Sequence, residues 1–340
     1  MKRLFFIGNK YHKKTGSSDF LLRILEESFD VESCYVDLYK REGRWDVFSK
    51  ASRFDFDVLV CWQVMPPREL LDDYFCFKHG AFFPMYDGCP NVKAIERWFP
   101  YRDFQIISFC CTLAEQLNRA GFSAHFIQYF PPPSSIAEWG DPVGVFFWNR
   151  RENINIQTVE KLLSEIDVRR VHIHKVLDPG CDFIPPSEQC RWEIEYSDWY
   201  ETRAEMTSDI LSSAYYIAPR HEEGIGMSVL EAMAMGRCVV APDNPTMNEY
   251  IDHGRTGFLY DEKSPKALPL SQVREIQKNA YEYMMEGFGR WEEEIPLISK
   301  WLIEPVVISF PKMIARVILR FFWKPRRILQ LIGSELSKRY

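Results

Sequence analysis

Two carboxylates with seven residues between them, Glu223 and Glu231, bracket the turn Gly224-Ile225-Gly226 in the best-organised stretch of the chain. The apolar run Tyr215 to Pro219 reads as a strand before the turn. An Ala-rich helix starting near Ser228 and ending before Gly236 follows it, and Cys238 to Ala241 reads as the next strand. One Glu then precedes the helix and the other lies about a turn inside it, so both can border one small volume and accept hydrogen bonds from a ligand with many hydroxyls. Glycine lets the backbone approach such a ligand closely. The free N–H groups and positive dipole end of the helix, from Met227 and Ser228 onward, suit a phosphate or a sugar hydroxyl. A bare Glu-x7-Glu is more often a solvated turn plus a helix-surface Glu. Glu286-Gly287-Phe288-Gly289 followed by Glu294 repeats the spacing without flanking strands, and it reads as part of a terminal helical region containing Trp291.

The elements that must position these groups alternate along the whole chain. Strand-like runs at Leu4 to Ile7, Ser33 to Val36, Val58 to Trp62, Ala81 to Met85, Gln105 to Phe109 and Ala124 to Tyr129 are separated by helical patterns, as in parallel sheets covered by helices. One such helix carries Thr112-Leu-Ala-Glu115, a capping-box pattern, and closes near Gly121. Pro131-Pro132-Pro133-Ser134-Ser135 breaks every pattern. A second series then begins at Val143 to Phe147 and continues through Val171 to His174 and Ile194 to Tyr196. The expected fold is α/β, with two doubly wound Rossmann-like domains facing a cleft. They span residues 1–133 and 134–304, and a basic amphipathic tail covers 305–340.

Composition bounds the possibilities. At 340 residues the chain exceeds the size of one ordinary core, and 46% hydrophobic with 26% charged residues describes a folding chain. A net charge of -6 gives no general attraction to phosphate backbones, so nucleic acid is not an expected partner. The amino terminus has an apolar run of four after Lys2-Arg3, too short for a signal or a membrane span. Nine cysteines without CxxC pairs read as reduced and cytoplasmic, with the adjacent Cys110 and Cys111 open to a redox reading or to plain packing. None of the seven histidines has metal-ligand spacing, so no metal is expected.

The stretch YYIAPRHEEGIGMSVLEAMAMGRCVVAPDNPTMNEYIDHGRTGFLYD, residues 215–261, resembles the donor-binding half of the retaining glycosyltransferases of family 4, which have the GT-B fold. The resemblance implies that Glu223 contacts donor-sugar hydroxyls and Glu231 the nucleotide ribose. Backbone amides around Gly224, Ile225, Gly226, Met227 and Ser228 would hold the sugar and pyrophosphate. Pro245 to Glu249 and the turn Thr256-Gly257-Phe258-Leu259 also have family-like counterparts. More weakly, Gly16-Ser17-Ser18 resembles the family's small-residue loop near the donor. Phe147-Trp148-Asn149-Arg150-Arg151 resembles the loop that places a basic residue on the pyrophosphate, Arg150 before Arg151. Many members carry a histidine where this chain has Tyr86-Asp87-Gly88, so Asp87 either faces the acceptor or caps a turn.

From Lys312 to Tyr340 eight basic residues face one acid, so the tail is +7 and the remainder -13. Lys312, Arg316, Arg320 and Lys324 recur every fourth residue beside an apolar face. Such a helix fits an anionic membrane surface, or packs back on the protein with Arg stems covering apolar area. The resulting expectation is a retaining, metal-independent transferase without cofactor. It would move a sugar from a nucleoside diphosphate sugar to an acceptor hydroxyl, with a lipid-linked glycan of bacterial surface polysaccharide synthesis as acceptor. The alternatives are a related epimerase or phosphorylase, and a non-catalytic membrane-associated nucleotide-sugar binder.

Overall fold

The computed structural model describes residues 1–134, 139–269 and 272–307. The tail expectation for 312–340 lies outside the described residues. Chain order in the first half is β1 (Lys2–Asn9), α1 (Lys10–Thr15), α2 (Asp19–Ser28), β2 (Phe29–Val36), β3 (Asp55–Trp62), α3 (Arg68–Tyr74), β4 (Cys76–Phe83), α4 (Ile95–Trp98), β5 (Phe104–Ser108), α5 (Cys111–Ala120) and β6 (Ala124–Phe126). These six strands form one parallel sheet in the order β2-β1-β3-β4-β5-β6. The second half continues with β7 (Asp141–Asn149), α6 (Ile156–Leu162), β8 (Arg170–Lys175), β9 (Glu193–Ser197), α7 (Arg203–Ser212), β10 (Ser213–Ile217), α8 (Met227–Ala234), β11 (Cys238–Pro242), β12 (Gly257–Tyr260) and α9 (Val273–Trp301). Its sheet, also parallel, runs β12-β11-β10-β7-β8-β9.

Parallel strands are covered on both faces, which is why they read as unbroken apolar runs. In β1, Leu4 and Phe6 enter one core and Phe5 and Ile7 the other, all four fully buried. The strand order reverses at β1/β3 in the first sheet and at β7/β10 in the second, and such switch points open a crevice at the carboxyl ends of the strands. Helix α9 leaves the second sheet and returns to the first domain. There Trp291 packs on Phe20, Phe109 and Tyr129 at ring-centroid distances of 6.1, 6.4 and 5.2 Å. At its end Trp301 stacks on His125 at 4.4 Å.

Two local readings are corrected. The expected turn at Thr256 to Leu259 contains strand β12, paired in parallel with β11. Four residues that begin with a glycine carry too little periodicity to separate a short edge strand from a turn. The capping box at Thr112 is also absent, because α5 begins one residue earlier and Thr112 lies inside it, with Cys110 as N-cap and no side-chain cap. Glu115 pairs with Arg119 instead. The free amides of Cys111 and Thr112 donate to Glu249, from the other domain, at 2.7 and 2.9 Å.

Candidate active site

The glycine turn leaves β10 at the second sheet's switch point and enters α8. Gly226 is the N-cap of α8 at φ 75°, the left-handed region where side chains are strained. Gly224 lies against the amino-terminal domain: a Cβ there would stand 2.5 Å from that of Met85. The expected close approach at Gly224 is therefore made by Met85. Ile225 is buried, and Met227 and Ser228 form the first turn of α8 with partial exposure.

Beside this turn three guanidinium groups converge on one carboxylate. Arg150, just past β7, donates to Asp178 at 2.7 and 3.1 Å, and Arg151 donates to the same carboxylate at 2.7 Å. Arg220, just past β10, donates to both of its oxygens at 2.9 Å. Arg220 also reaches across the cleft to Asp87, 3.4 Å away. Asp87, Arg150 and Arg151 are thus joined through Asp178 and Arg220, two residues that sequence reading passed over. A lone Arg after a strand and an Asp in a Pro-Gly loop belong to no spacing pattern; the position of Arg220 three residues before Glu223 is the only local signal.

Burial alone would raise Asp178, but the hydrogen bonds and charge of the arginines hold it below the usual carboxylate range. Burial raises Asp87 despite Arg220. Glu223 is pushed up to about 7 by burial, with Arg220 opposing the shift and Asp87 adding to it. The side chains of Arg150 and Arg220 are only 15% and 23% exposed, so their charge is weakly screened. A cavity of about 180 Å³ lies between the domains here, lined by Asp87, Arg151, Asn153, Arg220, His221 and Glu222. An anion with several oxygens entering it would compete with Asp178 for the planar guanidinium forks.

Glu231 lies in α8 with its carboxylate raised by burial and paired with the exposed Arg203. Burial, with the charges of Glu223 and Glu231 adding to it, holds the Tyr216 phenol above its ordinary range. On the amino-terminal side Gly16 ends α1 at φ 67° as its left-handed cap, and Ser17 bonds His12 at 2.7 Å. The small-residue stretch thus follows an additional helix rather than the first strand directly. Lys14 of α1 lies 4.9 Å from the Trp199 ring across the cleft. Among the described residues no three His, Cys, Asp or Glu side chains gather as metal ligands.

A larger cavity of about 380 Å³ lies elsewhere, between residues 248–256 and α9. Its lining includes Glu249, Asp252, Glu282 and Glu286 against the one cation Arg255, a balance that repels phosphate. All nine cysteines are free thiols. Cys110 is pushed up to about 12 by burial and the nearby Glu249, which keeps it protonated and favours the packing reading.

Residues 188–274, from the segment before β9 to the start of α9, match the family model of glycosyl transferases group 1. Over the whole fold the chain is similar to sucrose-phosphate synthase from Thermosynechococcus elongatus, with TM-score 0.61 and 11% identity over 88% of this chain and 98% of that one. HepE of Anabaena in complex with UDP gives 0.60 and 12% over 88% and 100%. A UDP-forming alpha,alpha-trehalose-phosphate synthase from Burkholderia xenovorans gives 0.58 and 13% over 89% and 99%. None of the curated proteins matches the chain. The architecture is that of the GT-B glycosyltransferases, two Rossmann-like domains facing a cleft. Within that fold, the segment 188–274 is similar to the glycosyl transferases of group 1.

Proposed function

We propose that the protein is a retaining glycosyltransferase that moves a sugar from a nucleoside diphosphate sugar to an acceptor hydroxyl without a metal ion. The observation that carries this reading is the convergence of Arg150, Arg151 and Arg220 on Asp178 at the switch point beside Glu223. A diphosphate supplies the same oxygens in greater number and charge than one carboxylate. In this reading Arg150 and Arg220 take the pyrophosphate, Arg151 lines its entry, and the amides of Gly224 to Ser228 hold the sugar and the near phosphate. Glu223 accepts donor-sugar hydroxyls. Glu231 exchanges Arg203 for the ribose, and Asp87 faces the acceptor.

As charge develops on the leaving phosphate, the guanidinium groups meet it in a half-closed cleft where they are worth more than in water. The lipid-linked acceptor, the cytoplasmic location and the membrane contact rest on the charge pattern of 312–340 and on composition. Among the described residues no helix is long and apolar enough to cross a membrane.

The test is a thermal-shift screen against UDP, GDP and ADP sugars with and without EDTA, followed by nucleotide release in the presence of lipid extract. A ligand at 100 times its Kd stabilises the fold by about 2.7 kcal/mol. One nucleotide should raise Tm and be released, with EDTA changing neither. No shift with any nucleotide overturns the reading, and activity lost to EDTA and restored by manganese or magnesium overturns its metal-free part. Shift without release makes the protein a binder.

A further inference from the structure

Among the described residues two that are not glycine have positive φ, Gln63 at 59° and Thr246 at 60°. For a β-branched residue this is costly, and such strain persists only where the surroundings enforce it. Thr246 is fully buried, and its hydroxyl donates to the Glu223 carbonyl at 2.7 Å. Its neighbour Met247 seals the other side of the glycine turn, since a Cβ on Gly226 would stand 2.2 Å from the Met247 Cε. One turn further on, the same segment grips the amino-terminal domain at three points. The Glu249 carboxylate accepts from the α5 amides, the Glu249 carbonyl accepts from Gln128 at 3.1 Å, and the Tyr250 hydroxyl donates to the Tyr129 carbonyl at 2.9 Å. Met247–Glu249 is a single 3-10 turn that joins the two sets of bonds.

We infer that Thr246 is a positioning residue for Glu223, and that Glu249 makes its hold depend on the amino-terminal domain being docked. The inference rests on the transferase reading for its effect on turnover, but not for the coupling itself. With α5 capped by Glu249, Thr246 is fixed over the glycine turn and Glu223 faces the sugar. With that bond released, the strained Thr246 relaxes and the turn loosens, so the donor sugar is gripped only when both walls of the cleft are present.

Three full-length variants test this, each first shown to be folded by circular dichroism. Hydrogen exchange of the 224–228 amides should quicken in Glu249→Gln, although Glu249 does not touch them, and in Thr246→Val. Thr246→Ser, which keeps the hydroxyl, should restore wild-type exchange. Turnover should fall about three- to tenfold in Glu249→Gln and Thr246→Val while UDP, GDP or ADP binding stays within about twofold. Unchanged exchange in Glu249→Gln overturns the coupling, and equal loss in Thr246→Ser and Thr246→Val overturns the role of the hydroxyl. If the wild type neither binds these nucleotides nor turns over, the transferase reading fails while the exchange result still decides the coupling.

Discussion

Glu223 and Glu286 each open the pattern Glu-Gly-X-Gly with a second Glu eight positions on, yet the two copies share almost nothing in three dimensions. In the first, Gly226 turns the chain through the left-handed region, so one carboxylate precedes the turn at the sheet edge and the other sits inside α8. The second lies wholly within α9, where eight residues advance about 12 Å along the axis and about 80° around it. Its carboxylates therefore diverge, Glu286 into solvent beside the acidic cavity. Gly287 instead admits Phe130, which would stand 2.1 Å from a Cβ there. The same spacing makes a site in one context and a packing face in the other, because a strand delivers the first copy to a sheet edge.

Substitutions can break that contrast, and the largest effect is expected at Glu223. If it holds two donor-sugar hydroxyls, Glu223→Ala should lose about 4 kcal/mol, roughly 1000-fold in kcat/KM, with calorimetric binding of the bare nucleoside diphosphate unchanged. Equal turnover in the Glu223→Ala and Glu286→Ala variants would erase the distinction between the copies.

The next effect is on stability. Burial places the folded Glu223 carboxyl at about 7, above its ordinary value. The folded state therefore binds the proton more tightly, and this group's contribution to stability falls as pH rises from about 4.5 through about 7. Glu223→Gln removes the dependence, so its stability relative to wild type should grow between pH 5 and pH 8 by at most about 3 kcal/mol in urea unfolding. A constant difference across that range would show a carboxylate that is not desolvated.

Glu231→Ala should weaken nucleoside diphosphate binding by about 2 kcal/mol, roughly 30-fold, because its ribose bond is made already in the ground state. Arg203, 73% exposed, is left in water at little cost. Wild-type affinity in this variant would remove the ribose role. The second copy sharpens the contrast at the small end. Glu286→Ala and Glu294→Ala should stay within about 0.5 kcal/mol of wild type in urea unfolding and bind nucleotide normally. Gly289→Ala should stabilise α9 by about 0.5–1 kcal/mol, since a Cβ there meets nothing within 4 Å.

Much of this fold was legible because buried parallel strands demand continuous apolar runs. Residues such as Leu4 to Ile7 or Cys238 to Ala241 can be little else between helical patterns. The glycine turn and its two carboxylates were legible for a related reason, being local in sequence. The electrostatic centre was not. Asp178 lies 28 residues after Arg150 and 42 before Arg220, and only the strand order of the sheet brings the three together. The cap on α5 was misassigned for the same cause, its acceptor Glu249 being 138 residues from the amide of Cys111. Spacing rules see one helix at a time, whereas this cap crosses a domain boundary.

The return of α9 to the first domain has a consequence for synthesis. The first sheet is complete once Phe126 has been made, but Phe20, Phe109 and Tyr129 receive Trp291, and the Gln105 carboxamide N–H donates to the Glu304 carbonyl at 3.2 Å. At roughly 5–20 residues per second, about 165 further residues keep that aromatic face uncovered on the ribosome for about 8–30 s. The nascent first domain thus keeps an apolar aromatic face open until α9 has been made, and a chain halted before residue 291 should expose it to association with other chains.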